Sequence, residues 1–150
     1  MPYLSNDHSE NQRLHTVLIG CYHTHKKHCF AEFQKLNLST GQPKVLSILL
    51  QNEGFLQKDL AERCHVEPAT MTSLLGKLEK DGLIYKKPVY VSGNKRANSI
   101  YLTEKGRKLA IKINQIVDEI EEKSYKNFTE TEKQLLISFF NRIRYNLENY

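Results

Sequence analysis

Between Lys86 and Lys108 lie seven Lys or Arg residues and one acid, a local charge of +6 in a chain whose formal net charge is +5. The rest of the chain therefore sums to −1. Positive charge concentrated in one segment is chemistry suited to a polyanion, because each cation that meets a phosphate releases a condensed counterion. Upstream, Ala69, Thr70, Thr72 and Ser73 put small and hydroxyl side chains at the opening of a helix, with Lys77 one turn later. Ser and Thr hydroxyls exchange hydrogen bonds with base edges or phosphates, and a Thr methyl packs on a thymine methyl. Lys77 suits a phosphate. Gln57 and Lys58 open the preceding helix, whose first amides suit another. Lys95 and Arg96 cap the basic hairpin and suit a minor groove, where Arg favours narrow A·T-rich stretches.

A second group of reactive side chains is Cys21, His25, His28 and Cys29, spaced i, i+4, i+7 and i+8. They continue a stripe of Leu14, Val17 and Leu18 along one helix face. Cys and His are the ligand types that suit zinc. Cys21 and His25 can share an ion, but His28 is a further turn along, so a second helix or a partner copy must complete a tetrahedral site. The same stripe also describes a partner-facing helix with Cys as a small hydrophobe and His at its wetter edge. Cys21, beside Tyr22, is the better oxidant-sensing candidate. No motif requires a cofactor; zinc or another metal fits the residue types without being predicted by them. With three cysteines and no apolar leader at the N-terminus, the pattern expects reduced, mostly buried thiols, with Cys64 in the core.

The elements that must position these groups read as follows. Residues 1–10 are polar and expected to fray. A helix spans Gln12 to about Leu36. Ser39 with Gln42 resembles a capping box for the next helix, and Thr40 is an equal candidate for the cap. That helix buries Val45, Leu46, Leu49 and Leu50, and Gly54 ends it. A short helix over Gln57–Cys64 turns Leu60 and Ala61 inward, and Asp59 and Glu62 are expected to balance Lys58 and Arg63. After the turn His65-Val66-Glu67, Pro68 takes the first position of a helix whose inner stripe is Met71, Leu74, Leu75 and Leu78. Gly82 is its left-handed terminator. Strands at 85–91 and 97–102 flank the turn Ser92-Gly93-Asn94. Thr103 caps a long helix carrying Leu109, Ile113, Ile116, Val117 and Ile120. Thr129 with Glu132 opens a last helix with Leu135, Leu136, Phe139, Phe140, Ile143 and Leu147 inside.

The order α-α-α-α-β-β-α-α is that of a winged helix-turn-helix. The chain resembles the MarR family of bacterial transcriptional regulators. The resemblance is carried by Leu38-Ser39 with Gln42 and Leu46, by Gln57-Lys58-Asp59-Leu60-Ala61 and by Val66-Glu67-Pro68-Ala69-Thr70-Met71-Thr72. It continues through Leu78-Glu79-Lys80-Asp81-Gly82-Leu83-Ile84 and Arg96-Ala97 to Leu102-Thr103-Glu104-Lys105-Gly106. It implies a mainly α fold with a small β-hairpin wing, as one domain over residues 1–150. Residues 39–108 would form the DNA-binding lobe, and 12–36 and 109–148 the dimerisation helices. It further implies a homodimer on a palindromic operator, ligand or oxidant lowering DNA affinity, and an inducer pocket lined by parts of residues 14–30 and 45–50. The chain departs from the family at the wing tip, where Asn94-Lys95-Arg96 replaces an Asp followed by two Arg and Lys gives up the planar fork. Ala69 replaces a common Ser, and Ser73 stands where Arg is frequent. Base readout is therefore expected to be light, with more specificity left to DNA shape.

The function expected is a dimeric, cytoplasmic DNA-binding regulator, a repressor released by a small molecule or other signal. The alternatives are a redox- or zinc-responsive version using the Cys21–Cys29 face, or a winged-helix protein-interaction module without DNA binding. No apolar run approaches the roughly 18 residues that span a bilayer, so no membrane partner is expected. No glycine-rich phosphate loop or nucleophile elbow points to an enzyme.

Overall fold

The computed structural model describes residues 13–150. The expected fraying of residues 1–10 and the helix start at Gln12 lie outside the described residues. The chain forms two compact units, Met1–Asn114 and Gln115–Tyr150.

In the first unit the order is α1 (Leu14–Gln34), α2 (Gln42–Gln51), β1 (Phe55–Leu56), α3 (Gln57–Cys64), α4 (Pro68–Lys80), β2 (Ile84–Val91) and β3 (Lys95–Leu102), followed by the start of α5 (Glu104–Ser124). Apolar residues at three- and four-residue steps turn one face of each lobe helix inward. Val45, Leu46 and Leu49 of α2 meet Leu60, Ala61 and Cys64 of α3, and Met71, Leu75 and Leu78 of α4. Ile84, Ile100 and Leu102 close the cluster from the sheet, with Ala110 and Ile113 from α5. Each fully buried Leu, Ile or Met side chain contributes about 1.5–3 kcal/mol. Removing one should destabilise the lobe that carries the exposed residues of α3 and α4.

Two local expectations are corrected. Neither Ser39 nor Thr40 caps α2; Gly41 does, at φ 93°, a conformation that favours glycine. Gln42 still reaches back, its Oε1 accepting from the Ser39 amide at 2.8 Å, so half of the expected box survives although the helix starts two residues later. The sheet has three strands, in the order β1-β3-β2, because Phe55 and Leu56 pair with Ile100 and Ser99. A two-residue strand carries no periodicity to read. Its pairing arises because the Gly54 amide donates to Ile100 O at 2.8 Å.

The end of α4 closes as expected: Gly82 takes φ 72°, and the Leu83 amide donates back to Leu78 O at 2.9 Å. Thr103 then caps α5. Its Oγ1 accepts from the Gly106 amide at 3.0 Å and donates to Gly82 O at 2.7 Å, and its own amide donates to Leu83 O at 3.1 Å. Gly106 is buried, and a Cβ there would fall 1.9 Å from Leu83 O.

The second unit holds the end of α5 and α6 (Glu130–Glu148). The Thr129 capping box is complete: Glu132 N donates to Thr129 Oγ1 at 3.2 Å, and Thr129 N donates to Glu132 Oε2 at 2.7 Å. The expected interior of α6 is not an interior in the single chain. Leu135, Phe139, Phe140 and Leu147 are exposed, Leu136 and Ile143 are half-buried, and no residue of α6 is buried. The periodicity marks an apolar face correctly, but the described residues cover it only in part. The same holds for α1, where Leu14, Val17, Leu18 and Phe30 are exposed.

Gly106→Ala should gain about 1 kcal/mol of helix propensity and lose more to the collision with the Leu83 carbonyl. Overpacking costs about 1–3 kcal/mol against flexible neighbours, and this neighbour is backbone. A lowered urea midpoint is the expected result, and an unchanged midpoint would show that α5 and the α4–β2 turn are not held at this distance.

Candidate nucleic-acid interface

Burial of Leu60, Ala61 and Cys64 turns Lys58, Asp59, Glu62 and Arg63 outward on α3. His65 ends α3 in the left-handed conformation at φ 52°, with the Val66 amide donating to Ala61 O at 3.1 Å. Lys44 donates to Cys64 O at 3.0 Å, satisfying another carbonyl of that helix end. Pro68 then starts α4 at its first position. With Met71, Leu75 and Leu78 buried, Ala69, Thr70, Thr72, Ser73 and Lys77 all lie on the exposed face. Two of the candidate residues are linked: Gln57 Nε2 donates to Thr72 Oγ1 at 3.0 Å, and Thr72 Oγ1 donates to Pro68 O at 3.0 Å. Asp59 and Glu62 form no ion pair with Lys58 or Arg63 among the described residues; Arg63 lies over the Phe55 ring, 4.8 Å from its centroid.

In the wing, β2 and β3 pair from Ile84↔Leu102 to Val91↔Lys95. Lys95 and Arg96 are thus the first two residues of β3 rather than part of the tip, which is Ser92-Gly93-Asn94 with Gly93 and Asn94 at positive φ. The seven cations of the segment are not equivalent. Lys86 lies 4.0 Å from Glu79 and Lys108 lies 4.0 Å from Glu104, Arg107 pairs with Glu53, and Lys105 donates to Asp81 O. Lys87 lies over Tyr101 at 4.6 Å, and Tyr101 stacks on Tyr85. Lys95 and Arg96, like Lys58 and Lys77, are exposed and form no ion pair among the described residues. Their charge is free to meet a phosphate.

Glu53 was not anticipated. It follows α2, and its two oxygens tie the exit of the wing: Oε1 accepts from the Leu102 amide at 2.7 Å and Oε2 accepts from Arg107. Burial by itself would raise its pKa, but the hydrogen bonds from Arg107 and Leu102 and the Arg107 charge outweigh that and hold the carboxyl below its ordinary value. The hydrogen bond and charge of Glu53 raise the pKa of Arg107 in turn. An acid 54 positions from its partner leaves no local pattern to read.

On α1, the structure brings Cys29 and His25 together, Sγ lying 3.8 Å from the ring nitrogens. Cys21 and His28 are exposed, Cys29 is half-buried and Cys64 is buried, so only one of the three thiols is in the core. Burial raises the Cys29 pKa above its ordinary value, against a smaller opposing backbone hydrogen bond. Burial likewise raises that of Cys64, against the opposing charge of Lys44. Among the described residues no group of three or more His, Cys, Asp or Glu side chains is arranged to hold a metal. Each unit has a cleft of its own. One of about 570 Å³ is lined by Leu36, Leu38, Leu83, Leu109 and Lys112, among others. The other, about 940 Å³, is lined by Tyr125, Ile137 and Tyr145, among others. Neither includes residues 14–30 or 45–50, where the inducer pocket was expected. No helix among the described residues is long and apolar enough to cross a membrane.

A helix-turn-helix with an exposed second helix, followed by a basic two-stranded wing, defines a winged-helix transcriptional regulator. The model of the MarR family matches residues 38–89. An HTH-type transcriptional regulator of Bacillus subtilis, YybA, is 32% identical over 117 residues, covering 78% of this chain and 77% of the relative. A MarR-family transcriptional regulator of Listeria monocytogenes, solved in complex with a 26mer DNA, is 26% identical with a TM-score of 0.82. That match covers 92% of this chain and 91% of the other. A MarR protein from Peptoclostridium difficile shares the fold, with a TM-score of 0.81 at 23% identity over 97% of this chain and 94% of the other. The chain belongs to the MarR family of DNA-binding transcriptional regulators.

Because the folded pKa of Glu53 is lowered, its contribution is present above the unfolded carboxylate pKa and lost as pH falls through the folded value. Wild type should therefore be more stable than Glu53→Gln at neutral pH, and the gap should close on the acid side of the carboxylate range. Urea midpoints of both proteins across that range test this, and a gap that does not change with pH refutes it.

Proposed function

We propose that this regulator acts as a homodimer on a palindromic operator and represses transcription until a small molecule or other signal releases it. The observation that carries the DNA-binding geometry is the common exposure of Ala69, Thr70, Thr72, Ser73 and Lys77 on α4, with unpaired Lys95 and Arg96 in the wing of the same unit. In this reading α4 enters the major groove, and its first turns meet base edges. Lys58 and Lys77 meet phosphates, and Arg96 with Lys95 meets the backbone or minor groove beside it. The Listeria relative solved with DNA supports the reading.

The dimer is supported by apolar side chains that the single chain leaves in water: Leu14, Val17 and Leu18 on α1, and Leu135, Phe139 and Phe140 on α6. Two lobes must meet successive major-groove faces about 34–36 Å apart. A signal that alters their spacing need supply only about 1–3 kcal/mol of coupling to change occupancy. No cofactor is needed for this mechanism. A metal- or oxidant-responsive version rests on the His25–Cys29 contact. The raised Cys29 pKa lowers its thiolate fraction and works against oxidation there.

Binding to a short palindrome from the upstream DNA should weaken steeply with salt. Lys77→Ala and Arg96→Ala should each reduce the slope of log affinity against log salt by about two, one phosphate contact for each chain of the dimer. A salt-independent interaction, or no sequence preference, refutes the reading. In sedimentation the protein should run as two chains, and Leu135→Asp with Phe139→Asp should shift it to one; a monomeric wild type removes the dimer.

A further inference from the structure

The link between Gln57 and Thr72 joins the opening of α3 to α4 across the helix-turn-helix, with the Gln57 amide donating and the Thr72 hydroxyl accepting. A threonine hydroxyl carries one proton and two lone pairs. Thr72 gives its proton to Pro68 O at 3.0 Å, the back-bond of a hydroxyl to the preceding helical turn. Its oxygen can therefore only accept from Gln57, at 3.0 Å. Gln57 turns its NH2 group to Thr72, which leaves its Oε1 facing away from that hydroxyl.

Two consequences follow for an approaching duplex. Thr72 has no proton left to donate, so the hydroxyl expected to read a base is already committed. Gln57 retains its Oε1 acceptor and a second N–H donor, and these lie side by side when Thr72 takes the N–H that points away from Oε1. Gln57 is half-buried and Thr72 exposed, so this edge borders the same surface as Ala69, Thr70 and Ser73. An adjacent acceptor and donor complement the N6–H donor and N7 acceptor of adenine in the major groove. Guanine offers two acceptors there, cytosine a donor, and thymine an acceptor and a methyl. The free cations Lys58 and Lys77 cannot supply this discrimination, because a phosphate is the same at every base pair.

We propose that Gln57, held by Thr72, is a specificity-determining residue that reads one adenine in each half-site. The inference rests on α4 lying in the major groove. It moves Gln57 from a phosphate contact to a base contact and makes Thr72 a positioning residue.

The test is selection of sites from a randomised duplex by the full-length protein and by Gln57→Ala, Gln57→Glu and Thr72→Val, with urea midpoints to show that each variant folds. Wild type should prefer adenine at one symmetric position by about 5- to 150-fold, the range a bidentate contact gives. Gln57→Ala and Thr72→Val should both lose that preference at that position while other positions and the salt slope hold. Gln57→Glu, which accepts but cannot donate, should shift it toward cytosine. An unchanged site for Gln57→Ala, or a uniform loss of affinity across sequences with base preferences intact, overturns the inference and leaves the DNA-binding reading standing. A wild type that selects no site overturns both.

Discussion

The junction at Thr103 is the constraint on which the lobe depends. The wing leaves the sheet at Leu102, and three hydrogen bonds gather around Thr103 after the end of α4. The Thr103 amide is held by Leu83 O, its hydroxyl by Gly82 O, and the Gly106 amide by that hydroxyl. Glu53 adds the fourth tie, from the end of α2 to the Leu102 amide and Arg107. These are backbone and charge-assisted bonds of fixed length, and Gly106 lies too close to Leu83 O for any side chain. The hairpin is therefore clamped at its base, and a cation near its tip keeps a defined place relative to α4. Without the clamp, Lys95 and Arg96 would contribute charge but no fixed position.

The charge of the segment divides along the same lines. The cations nearest the junction, Lys105, Arg107 and Lys108, spend their donors or charge on Asp81 O, Glu53 and Glu104. The exposed Lys108–Glu104 pair contributes little to stability, whereas the Arg107–Glu53 pair carries geometry through a shared acceptor. Those left unpaired are farther out, on the first two residues of β3 and on the exposed faces of α3 and α4. Net charge draws the protein toward a polyanion over a Debye length, but only the unpaired cations can replace counterions at the contact.

Much of this was legible from residue order. Every helix of the lobe follows from apolar steps of three or four, and Pro68, Gly82, Thr103 and Thr129 punctuate them for reasons local to the backbone. The unread parts are those whose cause lies far along the chain. β1 exists because Ile100 and Ser99 offer it an edge. The Gly41 cap of α2 sits at φ 93° against Leu74, whose Cδ1 would lie 3.0 Å from an added Cβ. Of the candidate site, Ala69, Thr70, Ser73, Lys77, Lys95 and Arg96 could be named from position alone, but the pairing of Gln57 with Thr72 could not.

The sequence by itself determined the winged-helix order, the family and the basic segment, because helix periodicity, turn chemistry and formal charge are all short-range properties of the chain. Tertiary structure decided which of those charges are free, which hydroxyl still has a proton to give, and which apolar faces the single chain fails to cover. Those are properties of partners, and a partner is set by the fold: Gln57 meets Thr72 across a turn, Glu53 meets Arg107 beside the end of β3, and Leu135 is left exposed.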